Sequence, residues 1–274
     1  MAKKVLVLDL DGTLTNSEKK ITPKTKKALM EMQEKGHTVV LASWRPTPGI
    51  TPLAKELELE KNGGYILSFN GGQITNCKTG KIVYQKTLPP EVVPKLFDLA
   101  DKLDIGLLSY ERDSIITGMH YDEYIDIEKK INRLPVKQME NITDYIDFPL
   151  NKCLGTADPE VAAQAEKEYE KMFGKTLCIS RSEPFFIEIT PMGIDKAASL
   201  ERFCKLTGNK RENLIACGDG FNDVSMIEYA GLGVAMANAQ AAVKEVADYV
   251  TASNDEDGVA KVIYKFILNN EKSA

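Results

Sequence analysis

The chain has 274 residues, 43% hydrophobic and 27% charged, with a formal net charge of -5. That is enough for one large α/β domain or for a core with a smaller companion, and the composition excludes global disorder. The 35 lysines and arginines form no basic block, which argues against a nucleic-acid face but leaves room for a local positive pocket.

The first apolar run, Val5-Leu6-Val7-Leu8, has no alternation and reads as a buried parallel strand. It stops at Asp9 and Asp11, too short for a signal core or a membrane span. Thr22-Pro23 reads as an N-cap followed by proline at the first helical position, and Ala28, Leu29 and Met32 form an apolar stripe up to Gly36. Thr38–Ala42 is the next buried strand, so the segment predicts a parallel βαβ unit.

The middle of the chain reads differently. A helix is predicted from Pro89-Pro90 to about Leu103, and a strand pair over Ile105–Tyr110 and Ser114–Thr117. A helix near Asp122–Ile131 precedes a strand at Lys152–Gly155 and a strongly helical stretch at Pro159–Met172. A second strand pair is predicted over Thr176–Ser180 and Phe185–Ile189, turning at Ser182–Pro184. Two hairpin-like pairs with intervening helices predict an α+β insert at 84–190, dividing a core made of 1–83 and 191–274. The later part returns to parallel grammar. Strands are expected at Asn213–Cys217, Gly233–Ala237 and Tyr249–Thr251, with helices at Asn222–Ala230, Ala239–Val246 and Gly258–Leu268 and a frayed tail over 269–274. The five cysteines have no metal-ligand spacing and predict buried reduced thiols of a cytoplasmic protein. Only His37 and His120 are present, too few for a histidine-rich zinc site.

The segment Asp9-Leu10-Asp11-Gly12-Thr13 follows a buried strand. In extended chain the two aspartates face the same way, so one carboxylate can attack phosphorus while the other handles a proton. A solvent-facing turn is the competing reading. Gly218-Asp219-Gly220-Phe221-Asn222-Asp223 ends another expected strand and supplies oxygen donors of the kind magnesium prefers; helix capping by Asn222 or Asp223 is the plainer alternative. Two acidic strand ends in one domain would repel each other and any phosphate without a cation. Lys196 precedes an apolar helix and can neutralise phosphate oxygens. Ser43 and Arg45 follow the second strand and can donate to an anion.

Taken together, these segments resemble the haloacid dehalogenase-like phosphatases, in particular their Cof-type branch, over nearly the whole chain. The resemblance implies a Rossmann-like parallel-sheet α/β core with an inserted α+β cap. It implies Asp9 as nucleophile and Asp11 as general acid and base. Ser43 and Lys196 would hold the phosphoryl group. Magnesium would be held by Asp9, the Asp11 carbonyl and Asp219, with help from Asp223. Asn222 would orient the site or touch phosphate, and Asn70-Gly71-Gly72 looks like a loop at the substrate entrance; its plainer reading is a type I′ turn. The expected substrate is a small phosphorylated metabolite, foremost a sugar phosphate, for a monomer or weak homo-oligomer without nucleic-acid or membrane partners. Phosphomutase chemistry and a non-enzymatic phospho-receiver are the alternatives. Cap residues Arg112, His120 and Tyr121 can face substrate, pack or meet solvent. One departure stands out: the branch usually has threonine then glycine before its arginine-proline pair, and here the run is Ser43-Trp44-Arg45-Pro46. The hydroxyl survives, but an indole near the site is expected to shape substrate choice.

Overall fold

The computed structural model describes residues 3–268. β1 (Val5–Leu8) is buried along its whole length, as expected of a parallel strand covered on both faces. The helix Pro23–Glu34 follows. Thr22 accepts from the Thr25 amide, Pro23 occupies the first turn, and Ala28, Leu29 and Met32 are buried. β2 (Thr38–Ala42) then pairs in parallel with β1. The next segment departs from the sequence reading, which saw no element there: Thr47–Glu56 is a helix with Pro52 inside it. Pro48 lies in its first turn, where a missing N–H costs nothing, and Pro52 gives up a ladder bond.

β3 (Tyr65–Ser68) continues the parallel order beside β2. β4 (Gln73–Asn76) runs antiparallel to β3, and β5 (Ile82–Gln85) lies at the sheet edge. Six strands follow in the middle of the chain: β6 (Gly106–Glu111), β7 (Ser114–Thr117), β8 (Val136–Gln138), β9 (Cys153–Thr156), β10 (Leu177–Glu183) and β11 (Phe186–Pro191). The last three are β12 (Leu214–Gly218), β13 (Leu232–Ala235) and β14 (Tyr249–Val250).

Two sheets result. One has the order β14-β13-β12-β1-β2-β3-β4-β5, the other β10-β11-β9-β6-β7-β8. The first is parallel from β14 through β3. The second is antiparallel except where β8 joins β7. The chain divides into two compact units: one takes the chain up to Trp44, Ile50–Tyr84 and everything from Asp195, and the other takes Arg45–Gly49 and Gln85–Ile194. A largely parallel α/β core with an inserted α+β unit is therefore the architecture.

Each unit has its own apolar core. In the first, β1, β2 and β12 contribute Leu6, Val7, Val40, Leu41, Ile215 and Ala216. Burying each larger aliphatic side chain contributes about 1.5–3 kcal/mol. In the second, Leu107, Ile116, Cys153, Ile187 and Ile189 pack with Leu96, Phe97, Ala162 and Tyr169 of the helices Val93–Leu103 and Pro159–Phe173.

Several expected elements shift. The helix expected over Asn222–Ala230 is a single 3-10 turn, Phe221–Asp223, followed by the helix Val224–Tyr229. The final helix is regular only over Gly258–Ile263 and widens to π geometry over Tyr264–Leu268. The expected frayed tail lies outside the described residues. All five cysteines are free, but Cys77 is only half-buried and Cys178 is exposed, because successive side chains of β10 alternate and Leu177 takes the buried face. Among the described residues no helix is long and apolar enough to cross a membrane.

Candidate active site

β1 lies between β2 and β12, with Leu8 level with Leu41 on one side and Cys217 on the other. Parallel neighbours end on the same side, so Asp9, Ser43 and Asp219 emerge beside one another at the carboxyl edge of the sheet. The backbone holds this arrangement in place. Asp9 N donates to Cys217 O at 3.1 Å, and Ser43 N donates to Leu67 O at 2.9 Å.

Lys196 opens the helix Lys196–Thr207, capped by the Asp195 side chain on the Ala198 amide. Its Nζ lies 2.6 Å from Asp9 Oδ1 and 2.6 Å from Asp223 Oδ1. Lys196 and Asp223 are almost completely inaccessible to solvent, and Asp9 is 5% exposed. The second oxygen of Asp223 accepts from the amides of Asp219 and Gly220, each at 2.9 Å. One carboxylate thus anchors the lysine and shapes the 218–223 turn. Asp219 is held from the other side, with Thr13 Oγ1 donating to its Oδ1 at 2.7 Å.

Gly12 explains how the two acidic segments approach so closely. Its φ is +88°, and a Cβ placed there would lie 2.3 Å from Asp219 Oδ2. Any side chain at this position meets both a backbone penalty and a collision with a carboxylate.

Asp9, Asp219 and Asp223 each offer an oxygen, and these oxygens all lie within 4.8 Å of one another. With one lysine for three carboxylates, negative charge is in excess. Burial, reinforced by Asp223, pushes the Asp9 carboxyl well above the usual carboxylate range, against the pull of Lys196. Burial also pushes Asp219 up to about 6, with the Thr13 hydrogen bond opposing and Asp223 adding. Burial disfavours charge on Lys196, but the Asp223 and Asp9 carboxylates outweigh it and raise its pKa. A small hard cation would relieve the crowding, and an all-oxygen donor set fits one. The residues present therefore fit a divalent ion.

The other expected site residues fall in different places. Asp11 carries the more accessible carboxylate and pairs with Lys19 at 3.0 Å; its side chain is outside the three-carboxylate group. Ser43 is fully buried and Trp44 half-buried. Asn222 Nδ2 donates to Asn70 Oδ1 at 3.0 Å. The type I′ turn considered for Asn70-Gly71-Gly72 is absent: Ser68 pairs with Gln73 across a four-residue connection. Arg45 groups with the inserted unit, where its Nη1 donates to Ile131 O at 3.2 Å. Within that unit His120 Nδ1 lies 3.1 Å from Asp104 Oδ1, and Tyr121 donates to Asp126. Arg112 has a φ of +38°. Sequence reasoning passed over Thr13 and Asn238, whose Nδ2 donates to Gly12 O at 2.8 Å. Thr13 stood inside the quoted acidic segment and was accessible to closer reading. Asn238 had no local signal.

A family model described as haloacid dehalogenase-like hydrolase matches residues 6–263. A solved haloacid dehalogenase-like hydrolase from Bacteroides thetaiotaomicron is 44% identical with a TM-score of 0.94, covering 97% of this chain and 100% of that one. The 5-amino-6-(5-phospho-D-ribitylamino)uracil phosphatase YcsE of Bacillus subtilis is 34% identical, over 97% of this chain and 96% of its own. The solved structure of the subclass IIB sugar phosphatase BT4131 is 28% identical with a TM-score of 0.79, covering 96% of this chain and 99% of that one.

Proposed function

The chain belongs to the haloacid dehalogenase-like hydrolases and is a phosphatase-type enzyme, and we propose that it hydrolyses small phosphorylated metabolites, foremost sugar phosphates, with magnesium and a phosphorylated Asp9. The observation that carries this reading is the buried Lys196 shared by Asp9 and Asp223 with Asp219 alongside. Such a cluster has excess negative charge where a cation and a phosphoryl group would balance it.

Asp9, Asp219 and the Asp11 carbonyl would hold magnesium, with Asp223 directly or through water. When bound, the ion supplies positive charge that offsets charge on the transferring phosphoryl oxygens. An Asp9 oxygen attacks phosphorus and the bond from phosphorus to the leaving oxygen breaks. Asp11 delivers its proton to that oxygen, releasing the alcohol. Asp11 then takes a proton from water as the water oxygen attacks the aspartyl-phosphate, returning Asp9 and releasing inorganic phosphate. Lys196 and Ser43 hold the phosphoryl oxygens through both displacements. Asn222 and Arg45 are the further anion-side candidates, and Trp44 bounds the space for the leaving group.

The relative's name carries phosphate on a ribityl chain and the neighbour's names a sugar. Both support starting the substrate search with phosphorylated sugars and polyols. The test is a phosphate-release screen over phosphorylated sugars, nucleotides and short acids with magnesium, combined with trapping and peptide mapping of the labelled residue. Release of inorganic phosphate with label on Asp9 is expected. Label elsewhere during turnover removes Asp9 as nucleophile. Return of phosphate to the same sugar without release indicates a mutase.

A further inference from the structure

The connection from β3 to β4 is more strained than joining two antiparallel strands requires. A two-residue Asn-Gly turn would suffice, yet four residues separate the pair Ser68 and Gln73. Phe69, Asn70 and Gly71 have φ values of 54°, 52° and 92°. Two of these are not glycine, and an aromatic residue in the left-handed region is costly. Such conformations persist where the surroundings over-determine them.

The surroundings here are three parts of the candidate active site. Asn70 N donates to Ser43 O at 2.9 Å. Asn70 Oδ1 accepts from Asn222 in the Phe221–Asp223 turn. Gly71 lies directly on the first turn of the Lys196 helix: a Cβ there would sit 2.3 Å from Ser199 Cβ and 3.1 Å from Asp195 O. Closure of the loop on itself, Gly72 N to Phe69 O at 3.0 Å, fixes its shape. One four-residue loop therefore touches the serine segment, the lysine helix and the acidic turn.

We propose that Asn70 is a positioning residue, acting through Asn222 and the Ser43 backbone to set the spacing between the phosphate-side hydroxyl and the turn that presents Asp219 and Asp223. This inference rests on the proposed reaction for its catalytic consequence, and replaces direct phosphate contact as the role of Asn70. The left-handed φ goes with the Asn70 side chain meeting Asn222, and the missing side chain at Gly71 lets the loop lie against the first turn of the Lys196 helix.

Asn70→Gly tolerates the same φ while deleting the acceptor. Asn222→Ala deletes the same bond from an exposed residue outside the strained loop. With p-nitrophenyl phosphate as probe, Asn70→Gly should lower kcat about 10-fold while inhibition by inorganic phosphate changes by less than about 2-fold, and the double variant should fall no further than Asn222→Ala. Multiplicative losses, or phosphate inhibition weakening as much as kcat falls, would overturn the positioning role. A second arm needs no turnover. In Asn70→Gly and in Asn222→Ala, the amides of Asp219, Gly220 and Asp223 should exchange with deuterium about 5-fold faster or more, as expected of a turn losing a tether. Unchanged exchange in folded variants would overturn the brace whether or not any ester is hydrolysed. Faster exchange in a native protein inert toward every phosphate ester would instead count against the proposed reaction alone.

Discussion

Among the described residues, each of the two compact units buries one lysine, and the two are solved in different ways. Lys152, at the start of β9, pairs with Glu188 of β11 at 2.8 Å and lies 5.5 Å from the centre of the Tyr110 ring. The nearby Glu128 accepts from Tyr110 and Asn132, and burial pushes its carboxyl up. There the lysine pairs with Glu188, and a hydroxyl and an amide donate to the second acid, Glu128. Lys196, just past a loop at the strand ends, faces two carboxylates at equal distance, with Asp219 as a third acid nearby. Two acids lie near the first lysine and three near the second. Buried lysines alone therefore do not mark a reactive site; the surplus of acid around one of them does.

The largest expected effect tests that surplus directly. Asp9→Asn should lower turnover on the order of 10^4-fold or more, yet leave cation-free thermal stability no lower, because one of three crowded carboxylates becomes neutral. Activity retained above about 1% of native, taking that drop as reference, would break the contrast by making Asp9 only a structural acid.

Next come the lysines themselves. Lys196→Met strands buried carboxylates and should cost about 3–5 kcal/mol in chemical denaturation. Lys152→Met should cost less, about 1–3 kcal/mol, since Glu188 retains Ser182 as a donor and some exposure to water. Magnesium should stabilise the first variant by more than it stabilises the native protein, and the second by the same amount as the native protein. A gain in the second variant larger than in the native protein would mean that cation binding is not local to the Asp9 cluster.

Magnesium is expected to stabilise the native protein by about 2.7 kcal/mol at 100 times its dissociation constant, and Asp219→Asn should abolish most of that gain. The pH dependence has a definite sign. Asp219 without a cation titrates at about 6, and the Asp9 carboxyl is also raised. Protons then compete with the ion, so affinity should fall as pH drops through about 6 and binding should release protons there. Calorimetry in two buffers of different ionisation heat at pH 5.5 and 8 reads this out. Proton release that does not grow at the lower pH would remove Asp219 from the ligand set.

The smallest effect concerns Trp44. Trp44→Gly should change the kcat/KM ratio between bulky and small phosphate esters by about 3- to 10-fold, with Trp44→Phe intermediate and magnesium dependence intact. A uniform change across esters in folded variants would assign the indole to ordinary packing.

Much of the core was legible because its signals are local. Val5–Leu8 is an uninterrupted apolar run with acids at its end, and Thr22-Pro23 announces a helix start. The candidate chemistry was only half local. Asp9 and Asp219 each looked like a turn or a cap in isolation; what joins them is a contact across 187 residues between Lys196 and Asp9, which no short-range period encodes. Resemblance brought Asp9, Asp219 and Lys196 to one expected site without naming that contact. The helix Thr47–Glu56 escaped notice because Pro46, Pro48, Gly49 and Pro52 read as breakers. For the four-residue β3–β4 connection, Asn-Gly at its second and third positions offered a plain turn beside the substrate-entrance loop that resemblance implied, and neither reading foresaw the left-handed φ at Phe69.

The strand order also governs when the protein can become dangerous to itself or useful to the cell during synthesis. β1 is made first, yet its neighbour β12 is separated from it by about two hundred residues: Val5 pairs with Leu214. While the chain is still emerging from the ribosome, β1 and β2 can associate, but the opposite edge of β1 has no partner. That edge is apolar and offers unpaired backbone groups to any passing strand. Neither Lys196 nor Asp219 can stand beside Asp9 until more than two thirds of the chain has been made. The edge of β1 that β12 will cover therefore stays open through most of synthesis, a strand edge that other chains can pair with.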